Sequence, residues 1–368
     1  MAGAPSLASG SYAHEPTFGD RPGMLDLRVA LDERDFLSVD IDALVREELH
    51  AEIGEGLAAV LDYGLLDPFG EERLKPALSA QLGFEPGAAA VVCAAGVNLL
   101  LCALASMVER GALYAVHDGY PDLPGWVLRN GGSVVSRASL TAPLSHSAAI
   151  AELAPEMVLI DRPHLLEADP LPETIEALCS ACDSVVVVDE SYANYLPPDA
   201  SAAPLVETFP NLVVLRGVSK ALWLGGLRFG AAILSQPLAE RLRAVLCPLT
   251  ASSLSLRIAH RIIGVGDIAR PLRERVASLQ PLIAGSLLAA GLARRVHAPP
   301  NLPYLFLGEG EDEAVNRLKG VGIAIRGHPI WSARRGQVLY RPRMALPLRV
   351  DRVERLFAAC DIQKRASA

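Results

Sequence analysis

A few polar side chains in this sequence sit where an apolar stretch would leave them unsatisfied without a partner. Asp189, Glu190 and Tyr192 follow the run Ser184-Val-Val-Val-Val188, and Lys220 follows the apolar run Leu212–Leu215. A carboxylate at the end of such a run is costly unless a cation or donor meets it. Of 34 basic residues, four are lysine: Lys75, Lys220, Lys319 and Lys364. Elsewhere the sequence writes Arg for positive charge. Lys differs in that it can lose its proton and bond to carbon, which a guanidinium cannot. Arg228 follows in Gly225-Gly-Leu-Arg-Phe-Gly230. Ala94-Ala-Gly-Val-Asn98 is a turn of small residues between an apolar run and a helical one, and it suits backbone N–H groups facing an anion. Each feature also has a plain structural reading: a buried Asp–Lys pair, a surface Arg, a packing turn. Their convergence favours a site.

The elements that position these residues alternate. Short apolar runs at Ala89–Cys93, Leu113–His117, Ser133–Ser136, Met157–Asp161, Ser184–Asp189, Leu212–Leu215 and Gly230–Leu234 read as strands, with helical stretches between most of them. Strands apolar on both faces predict a mostly parallel, doubly wound sheet covered by helices. In that architecture ligands bind beyond the carboxyl ends of the strands, where all the residues above lie. His117-Asp-Gly-Tyr-Pro-Asp-Leu-Pro-Gly-Trp126 follows the second strand and offers Tyr120 and Trp126 for stacking. After Pro248 the pattern becomes Arg/Leu-rich helices, strands near 303–308, 323 and 339–345, and a last helix at 350–360. The fold class expected is α/β, with a smaller α+β C-terminal domain. The expected division is an arm at 1–24, a segment at 25–60 packing with the small domain, a large domain at 61–248 and the small domain at 249–368.

Bulk composition is consistent with this. The chain has 368 residues, enough for two domains, and is 51% hydrophobic and 21% charged. A net charge of −8 without a basic stretch argues against nucleic acid as a partner. Six scattered cysteines in mostly apolar surroundings read as reduced, buried thiols of a cytoplasmic protein, and Cys179-x-x-Cys182 reads as packing rather than as a metal site. No signal peptide is expected. Ala88–Val108 is long enough to imitate a membrane span, but its alanines, Gly96 and Asn98 predict a strand, a turn and a helix instead.

Asp189-Glu-Ser-Tyr192, Ser219-Lys220 and Gly225-Gly-Leu-Arg-Phe-Gly230, with about thirty residues between Asp189 and Lys220, resemble the motifs of fold-type I pyridoxal-phosphate enzymes. The nearest likeness is to the class I/II aminotransferase group, histidinol-phosphate aminotransferases among them, and it covers about residues 60–360. The resemblance implies pyridoxal 5'-phosphate as cofactor. It implies that Lys220 forms the Schiff base and shuttles protons, that Asp189 pairs with the pyridinium nitrogen, and that Tyr192 bonds the ring oxygen. Arg228, Ser219 and the backbone at Gly96 and Val97 would hold the phosphate, with Asn98 beside them, and Tyr120 would stack on the ring. Tyr63 resembles a Tyr that reaches the neighbouring subunit's phosphate, which implies a homodimer with shared sites. Arg343, or Arg341, would bind a substrate carboxylate.

Three departures stand out. The family's Asn-Pro-x-x-Pro-Thr-Gly-like loop is here Asp161-Arg-Pro-His-Leu-Leu-Glu167, so Arg162 or His164 is expected to replace the Asn that bonds the ring oxygen. Gly217 stands where a Ser or Thr often meets the phosphate, and Asn98 stands where an acid is usual. The implied function is a pyridoxal-phosphate enzyme acting on an amino acid or amine, most simply an aminotransferase. The alternatives are a lyase, decarboxylase, oxidative deaminase or cyclase of specialised metabolism, or a non-catalytic cofactor-binding relative. An NAD-dependent dehydrogenase would need a glycine fingerprint that is missing.

Overall fold

The computed structural model describes residues 18–61, 64–109, 111–136, 143–166, 170, 172–308 and 311–367. Its strands, in chain order, are β1 (Leu25–Asp26), β2 (Ala90–Ala94), β3 (Ala112–Ala115), β4 (Ser133–Val135), β5 (Met157–Asp161), β6 (Val185–Asp189) and β7 (Leu212–Gly217). They continue with β8 (Gly230–Leu234), β9 (Val296–His297), β10 (Tyr304–Leu307), β11 (Ile323–Ala324), β12 (Arg326–Ser332) and β13 (Gln337–Ala345).

The large sheet has seven strands in the order β2-β8-β7-β6-β5-β3-β4. All pairs are parallel except those that β8 makes with β2 and β7. Strands β2, β5, β6, β7 and β8 are buried along their whole length, as strands covered on both faces must be. One side of the sheet packs on a core that includes Val91, Val158, Val186, Val214 and Ile233, and the other on Val92, Leu159, Val187, Val213 and Leu234. The stretch that imitated a membrane span is β2, a turn at Gly96 and the helix Val97–Ala105. Among the described residues no helix is long and apolar enough to cross a membrane.

The small domain carries a four-stranded sheet, β12-β13-β10-β9, on its own core around Leu272, Leu305, Phe306, Met344 and Leu356. Of the segment expected to pack with it, the first part does: β1 pairs in parallel with β11, whereas Ile41 joins the large-domain core and the helix Ile41–Gly54 lies on the helix Ser253–Ile263 through Glu48 and Glu52 to Arg257. Arg352, 2% exposed, ties that segment down by bonding Asp32, Asp20 and the carbonyl of Asp26.

Three expectations change. The helix Ser253–Ile263 lies beyond the expected boundary at 248, yet Leu256, Ile258, Ala259 and Ile262 join the large-domain core, so the small-domain core begins with the helix Arg270–Ala289. Between the strands expected near 323 and 339–345 lies a further strand, β12, paired with β13 over seven residues. Gly327 and Pro329 hide it from pattern reading, but β12 is an edge strand, where a missing N–H is tolerated. Third, Cys247 is exposed rather than buried.

Candidate functional site

The carboxyl ends of β2, β5, β6 and β7 open on a cavity of about 370 Å³, within the range of about 300–1,000 Å³ usual for small-ligand pockets. Val97, Asn98, Tyr120, Asp189, Tyr192, Ser219, Lys220 and Arg228, all singled out above, line it together. Residues up to 131 positions apart in the chain (Val97 to Arg228) meet because parallel strands bring their carboxyl ends to one edge.

Lys220 follows β7 and places its Nζ 5.0 Å from the ring centre of Tyr192. Asp189 ends β6. Its Oδ1 accepts hydrogen bonds from the N–H and the hydroxyl of Ser191, at 2.9 and 2.5 Å. Burial pushes the Asp189 carboxyl above the usual range, while the Ser191 bonds and the Lys220 charge pull it down.

Just before β8, Arg228 lies against Gly96. Its Nη2 donates to the carbonyl of Ala95 and its Nη1 to that of Gly225, both at 3.1 Å. A Cβ on Gly96 would lie 2.5 Å from Arg228 Nη2, and Gly96 has φ +89°, so this turn requires glycine. Arg228 itself is left-handed, φ 53°, a conformation that costs a non-glycine residue about 1–2 kcal/mol. The helix Val97–Ala105 starts here without a side-chain cap, and Val97 and Asn98 both border the cavity. Open backbone N–H groups, the helix N-terminus and a guanidinium form an anion seat. Along the strand order β2-β8-β7-β6 an anion seat, then an amine after β7, then a carboxylate at the end of β6 follow one another, a set that fits pyridoxal phosphate.

The Asp161–Leu166 stretch behaves differently from expectation. Neither Arg162 nor His164 lines the cavity. Arg162 turns to Glu190 and to the carbonyls of Pro170 and Ala200. His164 stacks on His117 with ring centres 3.8 Å apart; its Nδ1 accepts from Leu166 N–H, so its Nε2 is the nitrogen that donates to the Asp118 carbonyl. Burial brings His164 down to about 4, so it is neutral. Asp161, Pro163 and Leu165 form the wall instead.

Arg343 and Arg341 separate clearly. Arg343 is 3% exposed, and its guanidinium carbon sits 4.1 Å from the centre of the Tyr304 ring, which in turn packs edge-on to Tyr192. Arg341 is half-buried and lies opposite His328 in the sheet. Tyr63 lies outside the described residues. Sequence reasoning missed Ser191, Asp161 and Leu165. The available signal for Asp161 was that it ends one apolar run as Asp189 ends the next, and the two are paired in register. Arg216, in β7, joins Arg162 on Glu190 in a buried triad.

The family model for aminotransferase class I and II matches residues 150–292. The histidinol-phosphate aminotransferase of Chlorobium phaeovibrioides is 45% identical over 154 residues, 42% of each chain. The chain thus spans less than half the length of this relative. A crystal structure of histidinol-phosphate aminotransferase from Sinorhizobium meliloti in complex with pyridoxal-5'-phosphate superposes with TM-score 0.69 at 22% identity over 88% of each chain. That of L-threonine-O-3-phosphate decarboxylase from Porphyromonas gingivalis gives 0.69 at 17% identity over 92% of this chain and 99% of that one. The chain therefore has the fold-type I architecture over nearly its whole length and the aminotransferase class I and II pattern over residues 150–292.

Proposed function

We propose that this chain is a pyridoxal-phosphate-dependent enzyme that uses Lys220 to act on a small amino acid or amine, most simply as an aminotransferase. The observation that carries the reading is that one cavity is lined by Arg228, Ser219, Lys220, Tyr192 and Asp189, and that the strand order β2-β8-β7-β6 sets Gly96 and Arg228, then Lys220, then Asp189 along one edge of the sheet. When bound, the cofactor supplies the electron sink that stabilises negative charge on the substrate carbon. The protein's residues do the rest. Arg228, Ser219 and the helix N-terminus bind the phosphate. Asp189 holds the proton on the ring nitrogen. The Lys220 amine holds the cofactor covalently between turnovers and carries protons at Nζ during them. Tyr120 would stack on the ring, Tyr192 would bond the ring oxygen, and Arg343 would receive a substrate carboxylate in preference to Arg341, because it is the buried one beside Tyr304.

A homodimer with shared sites is part of the proposal. Val60, Leu61, Leu65 and Leu66, either side of position 63 in the sequence, are 56–101% exposed, apolar side chains of the kind a second copy covers. A cytoplasmic location accords with the reading. With pyridoxal phosphate the purified protein should show a visible absorbance band that borohydride discharges, and Lys220→Ala should show neither band nor turnover. If that variant keeps a borohydride-reducible adduct, the assignment of Lys220 is wrong. Incubation with a panel of amino acids should yield oxo acids; release of ammonia, carbon dioxide or a cleaved side chain instead would favour a lyase or decarboxylase.

A further inference from the structure

Asp161 is a carboxyl that the scheme above leaves without work. It lines the cavity, is 6% exposed, and ends β5 directly beside Asp189 at the end of β6. Its Oδ2 accepts the backbone N–H of Tyr120 at 2.5 Å. Gly119 makes that approach possible, since a Cβ there would collide with Oδ2. Its Oδ1 is buried with no hydrogen-bond partner among the described residues. We infer that Asp161 is the neutral half of a one-proton carboxyl pair with Asp189, a positioning residue whose proton leaves Asp189 as the single negative charge facing the ring end of the cavity.

The surroundings give the reason. From β3, His117 turns its Nε2 to accept the backbone N–H of Asp161, so that ring brings no proton to the carboxylate, and burial keeps His117 neutral. On Asp161's own loop, His164 is neutral and bonded to Asp118. From β6 come Asp189 and, beyond it, Glu190, whose charge is already matched by Arg162 and Arg216. After β7 comes Lys220, whose charge acts on Asp189. Tyr192 and Tyr120 add no cation. A second buried negative charge at Asp161 would have one backbone N–H to offset it. Burial and the neighbouring Asp189 accordingly push its carboxyl up to about 8.

This inference rests on the proposed function only for the identity of the cavity's ligand, and its first test needs no ligand. A carboxyl that keeps its proton in the folded state and loses it in the unfolded chain near its ordinary value destabilises the fold increasingly from about pH 4 to about pH 8, and not further above. Asp161→Asn mimics the neutral acid. The cofactor-free variant should therefore melt higher than the parent, with a gap that widens by about 3 °C or more from pH 5.5 to 8.5. Glu33, also buried and raised to about 8, contributes equally to both proteins and cancels in the difference. Parallel melting curves across that range would overturn the inference. Should the variant fold poorly, infrared spectra of Glu33→Gln, which removes the other raised carboxyl, give the same answer. A protonated-carboxyl stretch at pH 6 that fades by pH 9 supports it, and its absence at pH 6 refutes it. In pyridoxal phosphate titrations at pH 7, Asp161→Asn should bind within about threefold of the parent while Asp161→Ala loses about tenfold or more. Equal losses in both would also refute it. Failure of the parent to bind the cofactor at all would count against the proposed function and leave the melting and infrared results to decide on Asp161.

Discussion

Asp189 and Glu190 are consecutive, both acidic and both buried, and they leave the end of β6 toward opposite environments. Glu190, fully buried, is met by Arg162, Arg216, the Ser201 hydroxyl and the N–H of Ala202. Its partners satisfy both of its oxygens, and it touches none of the cavity. Asp189 has Ser191 on one oxygen, feels the charge of Lys220, and opens on the cavity. Two arginines close Glu190's network, whereas the groups around Asp189 remain open to a ligand. The contrast teaches that completeness of pairing, rather than burial or acidity, separates a structural carboxylate from one held ready for a ligand.

That comparison can be broken in order of expected effect. Glu190→Ala leaves two buried guanidinium groups without their counter-ion and should destabilise the fold by about 3–5 kcal/mol in urea unfolding, the usual cost of stranding one side of a buried ion pair. A loss under 1 kcal/mol would mean that the triad is not the anchor described. Asp189→Asn removes a poorly compensated buried charge. The cofactor-free melting point should hold or rise, while pyridoxal phosphate affinity falls about tenfold to a hundredfold, roughly 1.4 kcal/mol per tenfold. Equal melting losses in the two variants would erase the distinction. The smallest effect sharpens the same idea on the small domain: Arg343→Ala should raise KM for a carboxylate substrate by about tenfold, whereas Arg341→Ala should change it by less than about threefold. The reverse ranking would reassign the substrate end.

Much of this is legible in the sequence. The apolar runs named the large-sheet strands to within a few residues, because strands covered on both faces have no polar side to confuse the pattern. That Lys220, Asp189, Tyr192 and Arg228 line one cavity was legible because three of them follow apolar runs and Arg228 precedes the antiparallel one, where the sheet cannot use them. The rest was hidden for definite reasons. Edge strand β12 carries Gly327 and Pro329 and shows no alternation. The helix Ser253–Ile263 is amphipathic like its successors, and nothing local says which core receives its apolar face. His164 and Arg162 looked equally able to face a ligand, since side-chain direction in an irregular loop has no period to read.

The sequence by itself determined the parallel architecture and the presence of an amine, a carboxylate and a guanidinium at one edge of the sheet, because alternation and strand-end position are local facts. Which acid is satisfied was decided only in the folded molecule. Arg162 and Arg216 come from separate strand ends and close on Glu190, while Asp161 and Asp189 are brought side by side by the register of β5 and β6. Charge compensation depends on distance through space, and only tertiary structure sets that distance.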